Sequence, residues 1–225
     1  MKLAIETATE VCSVALELDD DRVVEKRQAG KGIHSEKMFQ FIEQLLNENQ
    51  LEPDQISEVL LSIGPGQYTG LRIGAAGVKG FLMSKKTELY TIGTLEGFAA
   101  AFSERDSIKG NVHAVIDARR EHLYHQKFEF KDDRVFKSNA SIQKITSIDQ
   151  LIQTGDIIIG TGLERLEVFG STGLKFFDAD MISAKNLIRA RHDTRFSEFY
   201  NRTDPAEFEP LYLTTRQVNN TLIGN

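Results

Sequence analysis

Lys2-Leu3-Ala4-Ile5-Glu6-Thr7-Ala8, Val11-Cys12-Ser13-Val14-Ala15-Leu16-Glu17-Leu18 and Arg22-Val23-Val24-Glu25-Lys26-Arg27-Gln28 open the chain as three short runs rich in β-branched and aliphatic residues, separated by polar breaks. Connections this short, the second made by Asp19-Asp20-Asp21, join antiparallel neighbours, so the spacing predicts a meander. From there the pattern alternates: a helix over residues 35–49, a strand over 58–63, a helix over 69–84 and a strand over 88–92. The second half repeats the theme, with strands at 111–117, 122–130, 156–159 and 174–177 and short helices near 96–102, 147–153 and 183–191. A charged stretch at 103–109 marks a junction. The expected organisation is α/β: residues 1–106 as an N-terminal lobe and 107–225 as a C-terminal lobe whose tail can pack back on the first.

The 225 residues suit one large domain or two small lobes. With 40% apolar and 27% charged residues, the composition is that of a soluble globular protein. A single cysteine excludes a disulfide framework and a cysteine-built zinc site. No apolar run approaches the ~18 residues of a membrane span, and Glu6 interrupts the first apolar stretch, unlike a signal peptide. A cytoplasmic protein with no membrane partner is expected. The formal net charge of −6 is more telling. Proteins that grip nucleic acid alone carry a basic footprint, because neutralising phosphates dominates that affinity. A role in RNA chemistry would therefore need a partner with positive surface.

Two features go beyond fold class. The first is the helix pair. In the first helix Met38, Phe39, Phe41, Ile42, Leu45 and Leu46 cover about 160° of the wheel, more than the ~100° that docks one face on a core. In the second, Gly70, Gly74 and Gly77 fall within about 60° of one another, joined by Phe81. Interior glycines cost about 1 kcal/mol each relative to alanine, so something offsets Gly74, Gly77 and Gly80. Tight packing on the protein's own sheet does so, and so does a subunit interface; opposite sides of one helix can serve both. The second feature is Ser62-Ile63-Gly64-Pro65-Gly66-Gln67-Tyr68-Thr69-Gly70, a glycine-rich strand-to-helix turn. Its amides can face a phosphate, or its glycines can serve the turn alone; it is not a P-loop, since no Gly-Lys-Ser/Thr follows.

No self-sufficient catalytic set emerges. His122 and His125, three apart in a strand, point to opposite faces. His34 reads as the start of a helix, and Cys12 as a small core residue. Asp117-Ala118-Arg119-Arg120 offers an acid and two bases suited to a structural ion pair. No nucleophile elbow or metal-binding helix motif is present.

Residues 4–9, Cys12-Ser13-Val14-Ala15-Leu16, His34-Ser35-Glu36, Gly64-Pro65-Gly66-Gln67-Tyr68-Thr69-Gly70-Leu71-Arg72-Ile73-Gly74, Asp117-Ala118-Arg119-Arg120 and Asp204-Pro205-Ala206-Glu207-Phe208-Glu209-Pro210-Leu211-Tyr212-Leu213 closely resemble, in order, the TsaB (YeaZ) family. The resemblance implies a two-lobed actin/sugar-kinase-like (ribonuclease H-like) fold with mixed central sheets. It implies a non-catalytic scaffold in the bacterial complex that transfers threonylcarbamoyl to an adenosine beside the tRNA anticodon. The partners would be the paralogue TsaD, which carries the transferase site, and TsaE, an ATPase. The chain alone would form a homodimer, bind no cofactor, and meet tRNA only through the complex, with ATP and metal used by the partners. Pairing would run through the helix pair, at Met38, Phe41, Ile42, Leu45, Gly70, Gly74, Gly77 and Phe81.

TsaD proteins carry a His-x-Glu-Gly-His metal motif where this chain has Thr94-Leu95-Glu96-Gly97-Phe98. Both ligand positions are lost, as a non-catalytic paralogue requires. Glu6 also departs from the aspartate usual in the first strand, which weakens the alternative of an autonomous ATPase or phosphotransferase. The lost ligands leave no zinc for a metalloendopeptidase.

Overall fold

The computed structural model describes residues 1–19, 22–83, 85–102, 108 and 110–213. Strands β1 (Lys2–Glu6), β2 (Val11–Asp19) and β3 (Arg22–Ala29) form the antiparallel meander. Helix α1 (His34–Glu48) then crosses over to β4 (Glu58–Ser62), and α2 (Tyr68–Leu82) to β5 (Glu88–Ile92), both strands parallel to β1. After α3 (Thr94–Ala99) the scheme recurs: β6 (Asn111–Asp117), β7 (His122–Lys131) and β8 (Arg134–Lys137) are antiparallel, with β9 (Ser141–Lys144) also on β7. Helix α4 (Ile145–Asp149), β10 (Ile157–Gly160), β11 (Lys175–Phe177), α5 (Ala184–His192), α6 (Thr194–Ser197) and β12 (Asn201–Thr203) complete the described elements. The sheets run β12-β5-β4-β1-β2-β3 and β11-β10-β6-β7-β8. Each half thus places a three-strand meander beside two parallel strands.

Alternation along β1 and β2 builds the layers, since successive side chains face opposite sides. Leu3, Ile5, Cys12, Val14 and Leu16 join Met38, Phe41, Leu45, Ala75 and Val78 in the core under α1 and α2. Ala4, Val11 and Ala15 face the other way, into a cluster with Phe98, Val112, Phe128, Leu187 and Ile188. That second core is continuous through both halves, with α3 and α5 lying between the sheets. Polar links reinforce it: Ser13 Oγ donates to Glu25 and accepts from the Ala184 amide, and Arg27 Nε donates to the Ile182 carbonyl at 2.7 Å. No helix among the described residues is long and apolar enough to cross a membrane.

The expected strands and helices are present, two strands (88–92 and 111–117) with the expected bounds and the others with ends moved by at most four residues; β8, β9, β12 and α6 are additional. These are short and polar: Asn201-Arg202-Thr203 has no apolar residue, and its strand exists only through pairing with β5. Asp20, Asp21, Ser84 and the division at residue 106/107 lie outside the described residues, as does most of the stretch 103–109. The chain returns to the first sheet through β12 and onward: Phe208 is buried under α1 and α2, and the Leu211 amide donates to the Ile63 carbonyl at 2.7 Å.

Candidate functional site

The glycine-rich turn between β4 and α2 packs directly on the β1–β2 connection. A Cβ at Gly66 would collide with the Ala8 carbonyl, one at Gly70 with the Thr7 carbonyl, and one at Gly64 (φ 118°) with the Leu211 carbonyl. Close approach of these carbonyls explains the three glycines. The facing turn satisfies itself as well. Glu6 accepts the Ala8 amide at 2.6 Å, and Thr9 Oγ1 accepts the Val11 amide at 3.2 Å. The Glu6 carboxyl is 1% exposed. Burial pushes its pKa up to about 7, only partly offset by Ser62 and by the Ala8 amide. Ser62 Oγ lies beside it without completing a hydrogen bond of good geometry, and Thr7 Oγ1 and His34 Nε2 are likewise buried without partners. His34 opens α1 as expected, and Cys12 is buried.

The stretch from Thr94 to Phe98 begins α3. Thr94 Oγ1 accepts the Gly64 amide and the Thr94 amide donates to the Gly64 carbonyl, each at 2.9 Å, locking the glycine turn to α3. Glu96 accepts the Gly93 amide at 3.0 Å and pairs with Lys137, whose ammonium also sits 4.1 Å from the centre of the Phe199 ring. Phe98 is buried in the shared core. These residues do not fit a metal: one carboxylate remains, already engaged, beside a hydroxyl and a phenyl ring. Among the described residues no group of three or more His, Cys, Asp or Glu side chains is placed to hold one.

The helix pair packs largely within the chain. Met38, Phe41, Ile42, Leu45, Gly70, Gly74 and Gly77 are buried inside this chain, and Phe81 is half-buried. Of these eight, Phe81 keeps surface open to a partner, whereas the other seven serve packing within the chain. Gly74 lies against Thr7 Oγ1 and Gly77 against Met38 and Phe39, so the glycine face serves packing of α2 on β1 and α1. The excess width of the α1 stripe is Phe39, 50% exposed. Beside it α2 exposes Tyr68, Arg72, Ala76 and Gly80, followed by Met83.

Sequence reasoning missed a buried polar cluster in the second sheet. His113 Nε2 and Asp156 Oδ2 are 3.1 Å apart, and His113 Nδ1 and His125 Nε2 are 2.9 Å apart, with the rings stacked. Asp156 also accepts the Asn111 and Gln153 amides. With His113 donating to Asp156, its Nδ1 accepts from His125, leaving both rings neutral. Burial holds both pKa values down, that of His125 at about 3. The available signal was His113 between Val112 and Ala114; His125, between Tyr124 and Gln126, offered none. Replacing His125 with Phe should lower stability at pH 7 by about 1–3 kcal/mol, because His113 Nδ1 loses its partner. That deficit should shrink as pH falls below 6.5, where the unfolded histidine takes up a proton that the folded one refuses. Urea unfolding of both proteins from pH 7 to 4 checks it. Asp117 forms an ion pair as expected, but with Arg165 rather than with Arg119 or Arg120.

Two lobes of one strand order, sharing a core and crossed by buried helices, define a protein of the actin/sugar-kinase class. A family model described as TsaD, tRNA N6-adenosine threonylcarbamoyltransferase, matches residues 28–180. A TsaB protein of Haemophilus influenzae, named for tRNA threonylcarbamoyladenosine biosynthesis, is 25% identical over 94% of this chain and 92% of its own. The Bacillus subtilis protein of that name is 30% identical over 58% of this chain and 56% of its own. The solved structure of YeaZ from Pseudomonas aeruginosa superposes with a TM-score of 0.75 at 21% identity, covering 94% of this chain and 99% of that one. The chain belongs to the TsaB (YeaZ) family.

Proposed function

We propose that the chain takes part in tRNA threonylcarbamoyladenosine biosynthesis as a non-catalytic subunit that pairs with a TsaD transferase and supports its activity. The relatives' names support the pathway. The observation that carries the non-catalytic role is the use made of the metal-motif positions: Thr94 clamps the glycine turn, Glu96 caps α3, and Phe98 fills the core. The ATPase alternative is disfavoured by Glu6, whose carboxyl is buried against the Ala8 amide rather than offered to a metal-bound nucleotide.

The partner surface is the outer row of α1 and α2, where Phe39, Ala76 and Gly80 leave an apolar seam with room for a second backbone. Two copies meeting there give a homodimer, and TsaD gives a heterodimer. TsaE joins the larger assembly, and tRNA is gripped mainly by the partners. Ala76→Arg is expected to abolish co-elution with TsaD in size-exclusion chromatography while leaving the circular dichroism spectrum of the isolated chain unchanged, since Ala76 is exposed. Normal co-elution of that variant would remove the helix pair as the interface.

A further inference from the structure

The β6–β7 hairpin turns through two consecutive arginines in the left-handed region, Arg119 at φ 69° and Arg120 at φ 53°. Each such residue costs about 1–2 kcal/mol, whereas Asn-Gly suits the same backbone far better. The turn is nonetheless firmly held. Asp117 Oδ1 accepts the Arg119 amide at 2.7 Å, the Arg119 carbonyl accepts the His122 amide at 3.2 Å, and Thr161 Oγ1 accepts the Asp117 amide at 3.1 Å. Arg165 sits on the Asp117 carboxylate.

Both tip arginines are exposed, and their guanidinium groups have no hydrogen-bond or ion-pair partner among the described residues. Exposed Lys144 pairs opposite His122 at the base of the same hairpin. Arg119, Arg120 and Lys144 thus belong to one hairpin and Arg165 sits at its base, a cluster of cations on a chain of net charge −6. Tyr124 on β7 lies within the field of Arg119.

We propose that the Arg119 and Arg120 tip contacts the sugar–phosphate backbone of RNA. The inference rests on the tRNA reading above and names the part of this chain that meets the substrate. Guanidinium forks match phosphate oxygens and stay charged at every relevant pH. A tip projecting from a hairpin reaches a backbone that repeats its phosphate at each nucleotide, and needs no extended complementary surface. Two phosphate contacts give weak, salt-sensitive affinity, in keeping with an acidic chain that adds to a grip made elsewhere.

The test is fluorescence anisotropy of the full chain with an unmodified tRNA transcript, titrated from low to physiological salt. Arg119→Asn with Arg120→Gly should weaken low-salt binding about tenfold and reduce the log–log salt slope by about 2. The same variant should raise the melting temperature, because both residues fit a left-handed turn. The double Lys variant, which keeps both charges, should retain most of the slope. No binding by the wild type at low salt, or unchanged affinity and slope in the Asn-Gly variant, would overturn the proposal. Unchanged RNA affinity with lost TsaD pairing would overturn it too, and assign the tip to an acidic protein surface. Failure of the underlying reading is distinct: the transferase would then run equally well without this chain, whatever the tip binds.

Discussion

Gly70→Ala is expected to destabilise the protein by about 3 kcal/mol, although alanine is the better helix former by ~1 kcal/mol. The added methyl would enter the Thr7 carbonyl at the end of β1, and backbone held in a sheet cannot step aside as a side chain can. A loss of that size is a large share of the 5–15 kcal/mol typical of a folded domain. Ten residues along the same helix the sign reverses. A Cβ at Gly80 meets nothing within 4 Å, so Gly80→Ala should gain about 1 kcal/mol. Urea unfolding of the two variants beside wild type decides the matter. Equal effects at the two positions would refute the claim that close approach to β1 explains the glycine face. The contrast also shows why Gly74→Leu or Gly77→Leu would not be clean tests of pairing: both would strike the fold itself.

The second large effect concerns Glu6. Its folded pKa, about 7, stands above the ordinary 4.5. Below pH 4.5 folded and unfolded chains are both protonated there, and the residue imposes no penalty. As pH rises, the unfolded chain releases its proton while the folded one must keep it or bury a charge. Stability is therefore lost between pH 4.5 and about 7, reaching about 3 kcal/mol. Glu6→Gln should abolish that loss, keeping an oxygen to accept the Ala8 amide and an NH2 group to donate to Ser62. The gain over wild type should be near zero at pH 4.5 and approach 3 kcal/mol at pH 8. A gain independent of pH would mean that Glu6 is not held protonated by burial. The comparison must be made between variants, because the His113–His125 pair acts in the opposite direction, losing stability as pH falls.

Much of this was legible in the sequence because local rules and tertiary structure agree. The opening meander, the two crossover helices and the repeated scheme follow from alternation, periodicity and short polar breaks. The burial of Cys12 was also readable, as was the loss of ligating side chains at Thr94 and Phe98, since a phenyl ring ligates nothing. What was not legible depends on long-range pairing. Strand β12 has no apolar pattern and exists because β5 offers it an edge. The His113–His125–Asp156 cluster needs three segments brought together by the sheet. The helix pair reads as unusual from its sequence alone, but a glycine stripe signals close approach without saying to what, and within the chain the answer is Thr7 and Met38. The stripe's excess width pointed to Phe39, the residue left outside.

As proposed, the chain serves tRNA modification by supporting a partner rather than by catalysing. The most direct measurement is threonylcarbamoyl transfer to tRNA by purified cognate TsaD and TsaE, with and without this chain, and with the Ala76→Arg variant. The account predicts transfer only with the wild-type chain, and its loss when Ala76→Arg blocks pairing. Full transfer in the chain's absence would contradict it.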